Sequence, residues 1–377
     1  MTDMPQSAAF APEAFIDPQS ALSFALEAGF DDARLLPLPY KGEAEQGARL
    51  RDFIDSGRAA SMHYLARANE QGELLRNRVA AAFPWARSVL VCWKSYHRPL
   101  PRSTDPAPSG AGWIARYAWS SATLPGGGTR PSDYHKVLRR RINALEASLH
   151  ARYGDFEARG FVDTGPVLER ALAAASGLGW IGKNCCLIHP RLGSYGFLSV
   201  LLLGLPVERE VIPQLHPDRC GSCRRCIEVC PTQALLAPRQ MDASRCIAYL
   251  TIEHKEPIEA DLRPLTGRQI FGCDLCQDVC PWNRKAPALE DPELAPRPEL
   301  VNPSLAHLAA LTEVEYELLA NGSPLRRPGY AGWRRNLVLA MGNSRLKSFI
   351  PLLKQWLDEP DPAFDELVRW AIVQCEE

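Results

Sequence analysis

The chain has 377 residues, enough for two or three domains that each bury a core. Hydrophobic residues make up 46% and charged residues 23%, a balance that excludes both a disordered chain and one embedded in a membrane. A formal net charge of -1 excludes a global pull towards nucleic acid or acidic lipid, so such partners must be met by a local patch.

The first stretch, MTDMPQSAAFAPEAF, has neither a basic start nor a long apolar run and does not read as a secretory signal; residues 1–16 are expected to be a flexible extension. Asp17-Pro18 then supplies an N-cap and a first-turn proline, with Ala21, Phe24, Ala25 and Ala28 on the apolar face of a helix. From Arg87 to Trp93 the apolar, β-branched run predicts a buried strand, with Cys92 as core. Pro99 to Gly112 and Ser120 to Pro131 are rich in proline, serine and glycine and read as loops.

Ser132 is the expected cap of the next helix, in which Leu138, Ile142, Leu145 and Leu149 share one face, Arg139, Arg140 and Arg141 point mainly to solvent, and Gly154 ends the run. Phe161 to Gly165 reads as a short strand that delivers Asp163 to its carboxyl end, where ligands bind in α/β sheets. Pro166 opens a further helix through Leu168, Leu172 and Ala175. Gly177-Leu-Gly-Trp-Ile-Gly182 has the spacing of a dinucleotide fingerprint but follows a helix, so its glycines are read as close approach or tight turning.

Leu198 to Leu205 is a second apolar strand, and the most apolar run, Phe197 to Leu205, is too short to span a bilayer. Pro206 to Pro217 and Pro281 to Pro303 read as linkers. Helical periodicity returns over Leu305–Leu319, Asn336–Trp356 and Phe364–Cys375. The expected organisation is therefore α+β or α/β: an α/β domain at 17–205, a ferredoxin-like domain at 206–295 and a C-terminal helical, HEAT-like region at 296–377.

Between the linkers lies Cys220-Gly-Ser-Cys223-Arg-Arg-Cys226-Ile-Glu-Val-Cys230-Pro231, followed by Cys273-Asp-Leu-Cys276-Gln-Asp-Val-Cys280-Pro281. The C-x2-C-x2-C-x3-C-P spacing binds three thiolates to one [4Fe-4S] cube and sends the fourth to a neighbour. By that exchange Cys220, Cys223, Cys226 and Cys280 hold one cluster, and Cys230, Cys273 and Cys276 hold the other with Cys246 as the missing thiolate. A pair of zinc sites is the alternative for C-x2-C pairs. Crowded cysteines without an export signal argue against disulfides and for a reducing, cytoplasmic setting. Cys185 and Cys186 are read as structural. Two cubes inside a longer chain imply an electron wire to an enclosed centre, and hence a further cofactor, because carboxylates, histidines and backbone accept no electrons.

Asp133-Tyr-His-Lys-Val-Leu-Arg139, Val162-Asp-Thr-Gly-Pro-Val-Leu-Glu-Arg170, Gly177-Leu-Gly-Trp-Ile-Gly-Lys-Asn184, Gly193-Ser-Tyr195, Cys246-Ile-Ala-Tyr-Leu-Thr-Ile252 and Phe271-Gly-Cys-Asp-Leu-Cys-Gln-Asp-Val-Cys-Pro-Trp-Asn283 resemble the epoxyqueuosine reductases. The likeness runs from about Ala21 to the C-terminus, the loop at Ser120 to Pro131 being a departure. It implies two [4Fe-4S] clusters that feed a cobalamin held by the first domain, and reduction of the epoxide on the wobble nucleoside of a tRNA with a GUN anticodon to the cyclopentene of queuosine.

The same resemblance assigns Asp163 as proton donor, a role that a carboxylic acid in a dry pocket suits because desolvation raises its pKa. Asp133, at a helix start, is given a structural role. Cobalamin contacts carried over by position are Arg78, Ala115, Leu187, Leu198 and Asp274, with Lys183 and Tyr195 nearby. Transfer RNA would meet Arg170, and Arg326, Arg327, Arg334 and Arg335 interleaved with Tyr330 and Trp333. A monomer reduced by an external donor such as a flavodoxin or ferredoxin completes the expectation. The rival readings are a corrinoid reductive dehalogenase and a ferredoxin-like carrier with no reaction of its own.

Overall fold

A computed structural model describes residues 15–124, 126–207 and 213–377. Residues 1–14 of the expected extension and 208–212 of the first linker lie outside these. Ile16, by contrast, is fully buried and its N–H donates to the Pro206 carbonyl, so the fold begins one residue earlier than expected. Asp17 caps the helix Pro18–Glu27 as its sequence dictates, accepting from the Ser20 N–H at 2.8 Å.

The first half is built on a four-stranded sheet in the order Asp32–Pro37, Ser88–Ser95, Gly196–Leu203, Ala158–Phe161. Every neighbouring pair is antiparallel. Of the two expected classes, α+β and α/β, the sheet is of the first, so the α/β domain expected at 17–205 is corrected to α+β and the rule that places ligands at strand ends of α/β sheets does not apply. All eight residues of Ser88–Ser95 are buried because both sheet faces are covered. The helices Pro18–Glu27 and Tyr134–Tyr153 pack on one face through Ala21, Leu138, Ile142 and Leu145, while Leu172, Val79 and Phe161 close the other.

Asp133, not Ser132, caps Tyr134–Tyr153: its Oδ1 accepts the His135 N–H at 2.9 Å, whereas the Ser132 hydroxyl donates to the Glu293 carbonyl. The three arginines on this helix are all engaged, although Arg140 remains exposed as expected. Arg139 bonds the Gly160 carbonyl, Arg140 pairs with Glu293, and Arg141 bridges Asp291 and Glu293. Lys94 reaches Asp291 at 2.9 Å in the same buried network. These pairs pin the expected second linker against the first sheet, and Leu294 is buried beside it. Around Gly126 to Gly128 the expected loop is a hairpin, Ser120–Thr123 with Thr129–Pro131, whose free edge takes Ala295–Pro296 as a third strand.

The boundaries expected at 205/206 and 295/296 do not separate cores. Trp113–Ile114 pairs in parallel with Gln269–Phe271, and Trp113, Ile114 and Trp119 share one apolar cluster with Leu250, Phe271, Leu337 and Val368. Asn336 bridges the segments, its amide donating to the carbonyls of Thr251 and Ile270, each at 2.8 Å. Helices at the C-terminal end are shorter than the periodicity predicts. Leu305–Ala309 and Glu313–Ala320 are separated by the Thr312/Glu315 capping box, and Gly329–Ser344 stops at Arg345, which adopts φ +54°. Pro362–Glu376 then packs along it, Trp370 and Ala371 lying so close to Gly342 that an added Cβ would come within 3.0 Å of both.

Candidate active site and iron-sulfur centre

The two cysteine motifs fold alike. Each C-x2-C turn runs into a one-turn helix, Arg225–Glu228 or Leu275–Asp278, and then into Cys230 or Cys280 ahead of a proline. Cys220, Cys223, Cys226 and Cys280 line one cavity of about 260 Å³. The Cys280 thiol interacts electrostatically with Cys220 and Cys226, while Cys273 interacts with Cys246 and Cys230. The last thiol of the second motif thus lies with the first set, and that of the first motif with the second.

Among the described residues no three metal-binding side chains converge on a single-ion position. The first four thiols instead surround a volume, as a cube requires. Burial pushes the Cys280 thiol up to about 11, so a cation in the cavity is what makes its thiolate the favoured form.

Cys185 and Cys186 are half-buried rather than core, and Cys186 hydrogen-bonds Cys276. The hairpin that carries them explains the glycine-rich run. A Cβ on Gly179 would meet the Ile188 carbonyl at 2.3 Å, and one on Gly177, at φ +79°, the Gln214 carbonyl at 2.5 Å. Those glycines serve close backbone packing, as read from the sequence.

Asp163 lies just beyond the strand Ala158–Phe161 at φ +56°, a left-handed conformation unusual outside glycine. Glu169 holds it there by accepting its N–H at 2.8 Å. Its carboxylate takes the Tyr134 hydroxyl at 3.1 Å, and His135 Nε2 stands 3.8 Å away. Burial lowers the tendency of His135 to protonate, but Asp133 and Asp163 outweigh it and raise the imidazole to about 9. Burial and then the Asp163 charge raise Glu169 to about 8. At neutral pH the cluster therefore holds an imidazolium and a protonated carboxyl beside Asp163. The Asp163 side chain is 67% exposed, so the dry pocket expected for it is not made by the protein alone.

Tyr134, His135 and Glu169 were missed as site residues, although two lie in the Asp133–Arg139 motif and one is adjacent to Arg170. Arg76, which bonds the Gly165 carbonyl, and Tyr64, 5.5 Å beneath its guanidinium, were also missed. No local sequence signal marks either one, because the contact spans the fold.

The carried-over cofactor positions divide. Leu187 and Leu198 belong with Trp93 to one apolar cluster that also includes Val79, next to Arg78, and the Trp93 Nε1 is buried there without a partner. An apolar wall with a spare donor fits the face and amide rim of a corrin ring. Arg78 itself pairs with Glu73 at 2.8 Å. Ala115 is buried against Gly272, beside Cys273. Asp274 is buried, accepting from Trp113 Nε1 and the Arg116 N–H, and burial with the Asp278 charge raises it to about 7. Tyr195 is buried with its hydroxyl on Asp278, and Lys183 donates to the Gly221 and Cys223 carbonyls at the first thiol set. Tyr195 and two donors of the Lys183 ammonium are thus engaged within the protein.

The arginines divide too. Arg335 is buried and donates to the carbonyls of Leu250, His254 and Glu256, and Arg334 is held by Glu359 and stacked among Tyr330, Trp356 and Phe364. Both are fold residues, which corrects their reading as RNA contacts. Trp333 is wholly buried and offers no stacking surface. Arg326 and Arg327 are exposed, paired with Glu317 and Glu253, and Arg170 is exposed with one N–H on the Cys185 carbonyl.

A two-motif thiol module beside a carboxylate cluster defines a redox enzyme of the double [4Fe-4S] class, and residues 219–283 match the 4Fe-4S double cluster binding domain. Residues 76–164 match the family Epoxyqueuosine reductase QueG. The epoxyqueuosine reductase of Pseudomonas aeruginosa is 38% identical, over 94% of this chain and 93% of its own length, and that of Escherichia coli K12 is 34% identical over 94% and 89%. A crystal structure of epoxyqueuosine reductase with a tRNA-Tyr epoxyqueuosine-modified stem loop superposes with TM-score 0.80 at 28% identity, covering 95% of this chain and 90% of that one. The Bacillus subtilis enzyme, seen with its catalytic aspartate loop swung out of the active site, gives 0.79 at 28% identity over the same shares. The chain belongs to the epoxyqueuosine reductases. That membership decides against the dehalogenase and the reactionless carrier.

Proposed function

We propose that this enzyme reduces the epoxide of epoxyqueuosine at the wobble position of a GUN-anticodon tRNA, using electrons from two [4Fe-4S] clusters and a cobalamin. The observation that carries this reading is identity of 38% through 94% of the chain, spanning both the Asp163 segment and the cysteine run. The reaction takes two electrons and two protons and releases water as the epoxide becomes the cyclopentene.

Cys220, Cys223, Cys226 and Cys280 hold the first cluster, and Cys230, Cys246, Cys273 and Cys276 the second. Arg78, Leu187 and Leu198, with the free Trp93 Nε1, form the wall assigned to the cobalamin, and Ala115 and Asp274, beside Cys273, are assigned to its second-cluster side. Bound there, cobalamin supplies a metal-centred reductant strong enough for a carbon–oxygen bond. Asp163 places a carboxyl at the departing oxygen, and bound substrate and cofactor complete the exclusion of water that the protein leaves unfinished. His135, charged at neutral pH, and the protonated Glu169 stand ready to restore the Asp163 proton.

For RNA, exposed Arg170, Arg326 and Arg327 offer phosphate contacts, and half-exposed Tyr64 offers a face for a base. No described helix is long and apolar enough to cross a membrane. Anaerobic reconstitution with iron, sulfide and cobalamin, followed by mass analysis of nucleosides from treated tRNA, tests the proposal. Conversion of epoxyqueuosine to queuosine supports it, and failure of fully loaded protein to convert it overturns it.

A further inference from the structure

The first thiol cavity opens at a rim that the proposed reaction does not use. Arg219, Arg225 and Lys285 line the cavity, and Arg224 and Arg284 flank the same two cysteine runs. All five side chains belong to exposed residues. None makes an ion pair or a side-chain hydrogen bond among the described residues. Other cations, among them Lys41, Arg130 and Arg159, also lack such partners among the described residues, so the rim is distinguished by the gathering of several at one cavity.

Over 218–230 and 280–285 the only acidic residues are Asp218, already paired with Arg239, and Glu228. Two exposed leucines occur in the same region of the chain, Leu215 at 60% and Leu236 at 53%. Leu236 sits on the strand Leu235–Ala237, which packs on the helix that carries Arg225. A ring of uncompensated positive charge with apolar spots, set around the mouth of a redox centre, is a steering and docking surface. Its occupant must be negative near its own redox group and must bring that group close to the Cys220 side of the cavity.

We infer that the basic rim around the Cys220–Cys226 and Cys280 cavity docks a small acidic electron-transfer protein, which delivers single electrons to the first cluster. This rests on the reading of that cavity as a cluster site. The donor is oxidised by one electron as the first cluster is reduced by one, and two such encounters supply one turnover. Transfer RNA, the other polyanion in the reaction, is assigned instead to the Asp163 side, where Arg170 and Arg327 stand.

The test uses full-length, cluster- and cobalamin-loaded enzyme carrying Arg224→Glu and Arg284→Glu, which reverse rim charge without altering cavity-lining residues. Turnover is driven either by reduced flavodoxin, an acidic donor, or by reduced methyl viologen, a small dye that needs no docking face. Flavodoxin-driven kcat/KM is expected to fall about tenfold or more at low salt and to lose most of its salt dependence. Viologen-driven rate, iron content and tRNA affinity are expected to stay within about twofold, the scatter of surface substitutions.

An unchanged flavodoxin dependence overturns the inference, as does loss of tRNA affinity with normal flavodoxin kinetics, which would make the rim an RNA surface. A wild-type enzyme that binds iron yet turns over with neither donor would defeat the functional reading itself, a separate outcome.

Discussion

At the scale of single residues the site is governed by Asp163 and the groups that hold it. Asp163→Asn keeps the side-chain shape but removes the acid, and turnover is expected to fall by about 100-fold or more, the usual worth of a positioned acid. Nucleoside mass analysis reads that loss of turnover, and metal analysis should find iron and cobalt content unchanged. His135 offers a pH signature. Its folded value of about 9 lies above the 6.5 of a free imidazole, so its stabilisation is complete below pH 6.5 and is lost as pH rises through 9. The urea midpoint of wild type should therefore exceed that of His135→Gln at pH 6, with the gap closing by pH 9.5. A gap that does not change with pH would remove the ion pairs with Asp133 and Asp163.

Elements show where reading the chain succeeds and where it stops. The Asp17 cap, the Cys92 strand and the cysteine spacing were legible because each depends on neighbours a few residues away. Helix ends at Ala309, Ser344 and Ser132/Asp133 were misplaced because capping boxes and a left-handed Arg345 interrupt an unbroken apolar pattern. The arginines misled for another reason. Arg335 looks like a surface charge in sequence, yet three carbonyls from a distant segment receive it. Arg335→Ala leaves the Leu250 carbonyl buried without this donor and the other two open to water, so a loss of about 1–3 kcal/mol is expected in chemical denaturation. The salt slope of tRNA binding by the folded fraction should not change. Gly177→Ala meets both a positive φ and a carbonyl at 2.5 Å, and should cost about 1–3 kcal/mol by the same measurement.

At the scale of the molecule the redox reading makes one demand above the others. Anaerobically prepared protein should carry about eight irons per chain, two cubes of four, with the absorption and paramagnetic spectra of [4Fe-4S] centres. Zinc in their place would leave the reaction without electrons. The buried carboxylate Asp291 gives a second test. Lys94 and Arg141 both pair with it, but Lys94 keeps Asp31 and Arg141 keeps Glu293, so Asp291→Ala should cost about 1–3 kcal/mol in chemical denaturation. Faster amide exchange over 285–296 should accompany that loss.

The parallel pairing of Trp113–Ile114 with Gln269–Phe271 fixes an order of events during synthesis. When the ribosome has released the first 200 residues, the indoles of Trp113 and Trp119 have each other but lack much of the apolar cluster they belong to, which is encoded up to Val368 and beyond. A nascent chain cut near residue 205 should accordingly aggregate or recruit a chaperone. The first half can reach its final shape only after the cysteine module and the C-terminal helices have emerged.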